Sequence, residues 1–441
     1  MDRLPLELLQ QVLAHLDLES LRNAALSCRM FFDAFKCAET TITGEVLLRQ
    51  IDYTVLPEAI LVSKSWDLGE PSVNKAIEFA KILNFRELAP TKWNLVDALP
   101  LARFHEKVNY LATQAAHEAL GNHPRLMETS PEPTREELCR FERALYRFQL
   151  YCNVVGRTYA EGREYEDMFF KYFCTWENEQ LACIQEHLVR VVSRPFNYLV
   201  DHDITWGYLT VPYISSNSMD HAEYILSEGI EKIYLLSRAS GYTEWHDLLS
   251  TGEHMFAEPY SCCSFLGHGL QKGTEPVFDP LISLSELDEY DKRLVINYPF
   301  YEDPDPGPEL MWEWTYRDES PGELVANRYM IIERLWAFTF WDYSRLQTAG
   351  LLGDPEIPAP RSVRDTELDQ YETLQRLKFL ADMQRYRTDI WKQGAYGWYA
   401  VGDMTQVKWK DVHRKVLVAQ PHSLEEAKEL WRRRIPKYLS T

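Results

Sequence analysis

The first thirty-five residues carry an apolar pattern that predicts three short amphipathic helices in succession. Pro5 suits the first turn of a helix, because its ring fixes φ and the N–H groups of that turn have no intrahelical partner. Asp17 and Ser27 suit the N-caps of the second and third helices. A unit below about 40 residues rarely builds a sufficient core alone. The excess apolar surface must therefore pack on the rest of the chain or on another protein.

The residues of this segment follow a definite order. Leu4-Pro5 comes first, then Leu8-Leu9, Val12-Leu13, Leu16, Leu21, the Cys28-Arg29 step and the aromatic Phe32. In this order the segment resembles an F-box. It departs from the family pattern at Leu6, where an acidic residue is common, and at Met30-Phe31-Phe32, where a tryptophan is frequent.

The resemblance implies a partner. F-boxes dock on the Skp-family adaptor of cullin–RING ubiquitin ligases, so the implied partners are this adaptor and, through it, a cullin. The implied docking set, partly interface and partly support, is Leu4, Pro5, Leu8, Leu9, Val12, Leu13, Leu16, Leu21, Cys28, Arg29 and Phe32. The alternative is a leucine-rich helical cap on the chain's own core. Such a cap requires amphipathic helices, but it does not require Leu-Pro and Ser-Cys-Arg at these spacings.

Composition limits the classes of protein to which the chain can belong. It has 441 residues, of which 45% are hydrophobic and 13% aromatic, so we expect a substantial core. The net charge of −20 argues against nucleic acid or an anionic membrane as the main partner. We expect no membrane span and no signal peptide. Eight scattered cysteines without a Cys-x-x-Cys pair favour a reduced cytosolic or nuclear compartment.

The pattern beyond the F-box-like segment predicts a mainly α fold with a few short strands near the C-terminus. Turn-rich breaks around 121–124 and 130–133 indicate three parts: 1–40 (F-box), 41–133 (helical linker region) and 134–441 (helical substrate-recognition domain). The last part contains an acidic Pro-rich loop at 252–322 and a basic segment at 405–441. Predicted helices cover 95–120, 134–155, 176–192, 220–237, 323–341, 366–391 and a final stretch from 423, and predicted strands cover 398–401, 407–409 and 415–418.

Three short sequences support a second resemblance. Trp176-Glu177-x-Glu179-Gln180, Asp305-Pro306-Gly307-Pro308 followed by Trp312, and Phe340-Trp341-Asp342 look like features of large fungal F-box proteins of undescribed substrate. They imply a helical body specific to that group, and they imply no chemistry.

No catalytic, metal or cofactor motif survives a test of spacing. His105-Glu106 and His117-Glu118 lack the second histidine that a zinc-binding helix needs four residues after the first. Asp201-His202-Asp203 is interpreted as a polar turn before Trp206, because adjacent residues on a helix or strand point in different directions. The remaining candidates are interpreted as a flexible loop (Gly267-His268-Gly269), buried thiols (Cys262-Cys263) and a solvated helix end (Arg432-Arg433-Arg434).

The sequence therefore favours a non-enzymatic adaptor without cofactors. Its predicted role is to present an unknown protein substrate to a ubiquitin ligase in the cytoplasm or nucleus. Two alternatives stay open, namely an F-box protein that binds the adaptor outside a ligase and an enzyme fused to an F-box.

Overall fold

The computed structural model describes residues 4–66, 92–156, 169–214, 220–250, 266, 270, 282–327, 330–352 and 381–409. Several predicted features lie outside these residues: Cys262-Cys263, the Gly267–Gly269 loop, the first part of the 366–391 helix, the 415–418 strand, the final helix from 423 and Arg432–Arg434.

The described residues are mainly helical, which confirms the predicted fold class. The helices are α1 (Leu6–Ala14), α2 (Leu18–Ser27), α3 (Arg29–Cys37), α4 (Glu39–Gln50), α5 (Leu56–Ser65), α6 (Leu95–Gly121), α7 (Pro124–Thr129), α8 (Arg135–Val154), α9 (Thr175–His202), α10 (Ile204–Tyr208), α11 (Asp220–Ser227), α12 (Ile230–Arg238), α13 (Tyr242–Leu249), α14 (Glu289–Ile296), α15 (Gly307–Tyr316), α16 (Ile331–Leu335), α17 (Tyr343–Thr348) and α18 (381–392). Short 3₁₀ helices cover Leu284–Glu286, Pro321–Glu323 and Phe338–Phe340. Strands β1 (Ala395–Gly397) and β2 (Val407–Trp409) pair antiparallel.

The chain divides into two compact units. The first contains Met1–Arg194, Ile214–Ala239 and Gly252–Arg364, and the second contains Pro195–Tyr213, Ser240–Thr251 and Asp365–Thr441. The boundaries predicted near residues 40 and 133 stay predictions. No helix of the described residues is long and apolar enough to cross a membrane.

In the first unit, the N-terminal helices pack on one another and on a long helix of the body. α1 and α2 pack with α3, and α2 and α4 both contact α6. Glu19 of α2 forms an ion pair with Arg103 of α6. The buried leucines Leu13 and Leu21 fill the space between the short helices. The N-terminal segment therefore shares a core with the body.

The central helix of the first unit is α8, with α5 and α6 packed along it. Its start confirms the predicted capping box: the Thr134 N–H donates to Glu137 Oε2 at 2.8 Å, and the Glu137 N–H donates to Thr134 Oγ1 at 3.1 Å. Most of its residues are buried, including Arg140, Arg143 and Arg147. A helix buried on nearly all sides must pair its charged side chains internally.

Two predicted helices are interrupted. The predicted 220–237 helix is two helices, because Gly229 adopts a left-handed φ of 86° and the following N–H of Ile230 donates to Gln149 Oε1 at 2.7 Å. The predicted 323–341 helix was also wrong. Its described part contains α16 and the 3₁₀ helix Phe338–Phe340, and left-handed residues at Ala326 and Ala337 interrupt it.

Other boundaries also differ from the predictions. The predicted 176–192 helix extends from Thr175 to His202, through Pro195. The first strand is Ala395–Gly397 instead of 398–401, whereas the 407–409 strand is confirmed. The described part of the predicted acidic loop, residues 282–322, is not irregular throughout. It contains α14, α15 and the 3₁₀ helix Leu284–Glu286. Pro308 is compatible with α15 because it lies in the first turn of that helix.

The second unit has a small core of Ile204, Met383, Ala395 and Tyr399. Asp203 caps α10 by accepting the Trp206 N–H at 2.8 Å, and it also accepts the Tyr242 hydroxyl at 2.6 Å. His202 ends α9, and its carbonyl accepts the Tyr399 N–H at 2.9 Å. Asp203 therefore serves as a helix cap in this unit.

Candidate functional site

The predicted docking residues lie on α1, α2 and α3 and at the ends of these helices. Seven of the eleven are exposed: Leu4, Pro5, Leu8, Val12, Cys28, Arg29 and Phe32. Val12 is 50% exposed and Phe32 is 44% exposed. Exposed apolar side chains at this density are typical of a surface that a partner covers.

The other four predicted residues face inward. Leu9, Leu13 and Leu21 are buried, and Leu16 is half-buried. The set therefore divides into side chains that a partner can reach and side chains that support them. That division agrees with the prediction of an interface and its support, although contact with the adaptor stays a prediction.

The caps of these helices are partly as predicted. The Ser20 N–H donates to Asp17 Oδ1 at 2.8 Å, and this bond lowers the pKa of Asp17. Ser27 was wrongly predicted as the cap of the third helix. It is the last residue of α2, its hydroxyl donates to the Ala24 carbonyl at 2.7 Å, and Cys28 takes the N-cap position of α3.

Sequence reasoning missed two exposed leucines beside this set. Leu6 is 45% exposed and Leu26 is 69% exposed. Leu6 was set aside as a departure from the family pattern. Its apolar side chain at the start of α1 was the signal that could have identified it.

A second constellation, buried in the first unit, was not predicted. Arg140, Arg143 and Arg147 are spaced three and four residues apart, so α8 presents them on one face. Arg140 donates from Nε to Asp303 Oδ2 at 2.8 Å and from Nη1 to Asp342 Oδ1 at 2.7 Å. Burial alone would lower the pKa of Arg140, but the two carboxylates outweigh it and the net shift is upward.

Arg147 holds two buried carboxylates at the other end of this row. Its Nη2 donates to Glu177 Oε1 at 2.8 Å and to Glu58 Oε1 at 3.2 Å, and all three side chains are buried. Burial raises the pKa of the Glu58 carboxyl, and Arg147 offsets only part of that rise. Arg143 lies between the two ends and donates to Asp303 Oδ2 at 3.0 Å.

Two further buried pairs fix the surrounding segments. Arg345 donates from Nε to Glu137 Oε1 at 2.7 Å, and Arg334 donates from Nη1 to Glu179 Oε1 at 3.2 Å. Glu179 Oε2 also accepts the N–H of the left-handed Ala326 at 2.7 Å. The buried Glu179 therefore holds the backbone at one point where the predicted 323–341 helix is broken.

The three short sequences of the second resemblance converge on these charges. Gln180 Nε2 donates to the Thr339 carbonyl at 2.9 Å, and the Trp176 and Trp312 rings are 6.4 Å apart. A Cβ added at Gly307 would lie 2.5 Å from the Trp341 carbonyl oxygen. Segments far apart in the chain thus form one buried framework, which explains their residue types by packing and charge pairing.

Gly307→Ala should destabilise the first unit by about 1–3 kcal/mol, because the new methyl group meets rigid backbone on two sides. Besides the Trp341 carbonyl, the Tyr343 nitrogen would lie 2.5 Å from the added Cβ. The measurement is the free energy of unfolding in urea. Gly44→Ala is the matched control, because its Cβ meets nothing within 4 Å and alanine favours the middle of α4. Equal stability of the two variants would contradict the prediction.

The described thiols and acidic groups offer no metal cluster. No group of three His, Cys, Asp or Glu side chains among the described residues could hold a metal ion. Burial raises the pKa of the Cys139 thiol to about 11 and also raises those of Cys174 and Cys183. These three thiols are therefore poor nucleophiles near neutral pH.

Comparison with known proteins found a family match for the N-terminal segment. A family model described as F-box-like matches residues 1–37. Searches of curated proteins and of solved structures found no match. The matched residues are those that form α1, α2 and α3 and carry the exposed apolar side chains. The chain therefore carries an F-box-like domain at residues 1–37.

Proposed function

We propose that this protein is a substrate-recognition adaptor of an SCF-type ubiquitin ligase. Its F-box-like domain docks on a Skp-family protein, which links it to a cullin, and its helical body captures a protein target. This assignment places it in the cytoplasm or nucleus, where such ligases act.

The observation that carries the proposal is the exposed apolar set on α1 and α3. Leu4, Leu8, Val12 and Phe32 all remain accessible although the same helices bury Leu9 and Leu13 in the shared core. A stable association of two proteins needs apolar anchors that become fully buried at the centre of the interface. The F-box-like match over the same residues supports the Skp-family adaptor as the partner.

The contact between the F-box-like domain and the body supports a mechanism based on proximity. α2 packs on α6, and Glu19 and Arg103 form an ion pair between these helices. A target bound to the first unit is then held at a fixed distance from the docked adaptor. Since such positioning raises the effective concentration of the reacting groups, the chain needs no catalytic residue of its own.

Replacing Leu4 and Pro5 by alanine should abolish co-purification with the Skp-family adaptor, because both side chains are exposed at the start of α1. The test is affinity purification of the full chain with adaptor and cullin quantified together. Leu235→Ala is the matched control, since Leu235 is a similarly exposed leucine on α12. Full adaptor binding by the double variant would refute the docking assignment. Binding of the adaptor without cullin by the unmodified chain would favour a role outside a ligase.

A further inference from the structure

A second exposed apolar surface lies on α14 and the turn after it. Tyr290, Leu294 and Tyr298 are 71%, 58% and 75% exposed; the first two are four residues apart on α14, and Tyr298 follows the left-handed turn at Asn297. We name these three residues the 290–298 face. No residue of α14 is buried. Since a helix of eight residues is too short to be stable alone, its flanking segments must hold it.

The segment before α14 is anchored to the end of α15. The Leu284 N–H donates to the Glu319 carbonyl and the Ser285 N–H to the Arg317 carbonyl, both at 2.9 Å. Lys292, on α14 itself, forms an ion pair with Glu313 at 3.0 Å. The helix is thus fixed from one side, which leaves the 290–298 face open.

The segment after α14 is anchored to the buried arginine framework. Asn297 takes a left-handed φ of 64°, and its Nδ2 donates to the Lys171 carbonyl at 2.6 Å. The Phe300 N–H donates to Glu177 Oε2 at 2.7 Å, and Asp303 is held by Arg140. A surface held in this way loses little conformational entropy when a partner binds.

The segment of the chain that contains the 290–298 face is strongly acidic. Residues 279–323 contain thirteen acidic and three basic side chains. Two of the basic side chains are in ion pairs, Lys292 with Glu313 and Arg317 with Asp318, and the third, Arg293, is exposed. Of the acidic side chains, Asp303 and Asp305 are paired with Arg140. Burial raises the pKa of Glu309 on α15, and the nearby Glu313 raises it further. A cationic partner would relieve this repulsion, whereas a nucleic acid would be repelled.

We propose that the 290–298 face binds a lysine- and arginine-rich segment of the target protein, with apolar side chains of that segment packed on Tyr290, Leu294 and Tyr298. This inference rests on the proposed adaptor function and adds the chemical class of the target. The exposed carboxylates Glu289 and Glu302 supply the complementary charge, and the apolar face supplies the anchors.

The test is a selection of random peptides of about twelve residues on the full chain. We expect the enriched peptides to carry net positive charge together with apolar residues. Their affinity should fall at least about tenfold in the Leu294→Ala/Tyr298→Ala variant, since both apolar anchors are lost. It should also fall in Glu289→Lys/Glu302→Lys and on raising the salt concentration.

Matched controls separate this surface from general effects. Leu235→Ala/Tyr386→Ala removes similarly exposed side chains elsewhere, and Glu45→Lys reverses an exposed charge on α4. Both controls should keep peptide affinity unchanged. Enriched peptides that are neutral or acidic, or that bind the Leu294→Ala/Tyr298→Ala variant with full affinity, would overturn the proposal. Adaptor binding by that variant reports the docking function separately, so the two proposals can fail independently.

Discussion

Arg147→Met should lower the free energy of unfolding of the first unit by about 3–5 kcal/mol, because it leaves two buried carboxylates without their shared cation. Methionine fills much of the same volume, so lost packing is a minor part of the effect. In the unmodified protein Arg147 donates to both Glu58 and Glu177. Neither carboxylate is exposed enough for water to replace the lost guanidinium. The measurement is urea unfolding followed by a probe in the first unit.

The effect of Arg147→Met should depend on pH. A carboxyl whose folded pKa is above its unfolded value costs stability as the pH rises from the unfolded pKa to the folded one. Burial already raises the pKa of Glu58, and removal of Arg147 should raise this pKa further. The destabilisation should therefore shrink as the pH falls through the raised folded pKa of Glu58, because protonation then removes part of the buried charge.

Two further variants test the origin of this effect. Adding Glu58→Gln to Arg147→Met should restore part of the stability, because one of the two uncompensated charges is gone. Arg22→Met is the control, since its ion pair with Glu19 at 3.6 Å is open to solvent and should contribute little to stability. If Arg147→Met were no more destabilising than Arg22→Met, the framework would not depend on this cation.

Val12→Asp should weaken binding of the Skp-family adaptor by about 100-fold, which corresponds to about 2.7 kcal/mol. The substitution places a carboxylate within the exposed apolar set, where docking would strip its water without offering a partner charge. Val12 is half exposed in the free protein, so the variant should fold normally. Titration calorimetry with purified adaptor measures the change.

The neighbouring residue provides a contrast to Val12. Leu13 is fully buried, so Leu13→Asp should unfold the N-terminal helices instead of sparing the fold. Leu235→Asp, on an exposed position of α12, should change neither adaptor affinity nor stability by much. Unchanged affinity in Val12→Asp would place the adaptor interface elsewhere on the chain.

Local patterns predicted those elements whose stability depends on neighbours in the sequence. The 95–120 helix was predicted because its apolar residues recur at helical spacing, and α6 covers Leu95–Gly121. The capping box of Thr134 and Glu137 was predicted because both partners lie within one turn. Motif order and spacing also identified the F-box-like domain, since its three helices are short and contiguous.

Distant contacts determined the places where prediction failed. Apolar residues from 323 to 341 favour a continuous helix, but Glu179 binds the Ala326 N–H from 147 positions away. Gln149 likewise binds the Ile230 N–H and separates α11 from α12. A buried carboxylate or amide can oppose helix propensity, because an unpaired buried polar group costs more than a broken helical turn.

The sequence by itself determined the helical class, the F-box-like segment and the residues from which its proposed docking surface is drawn. Only the tertiary structure decided which of them are exposed, since Leu8 and Leu9 are equivalent in type but only Leu9 is buried. The tertiary structure also brought Arg147 to Glu58 and Glu177, and it left the 290–298 face open beside them. The reason is physical: burial and charge pairing depend on segments that are far apart in the chain, whereas helix periodicity and capping depend on near neighbours.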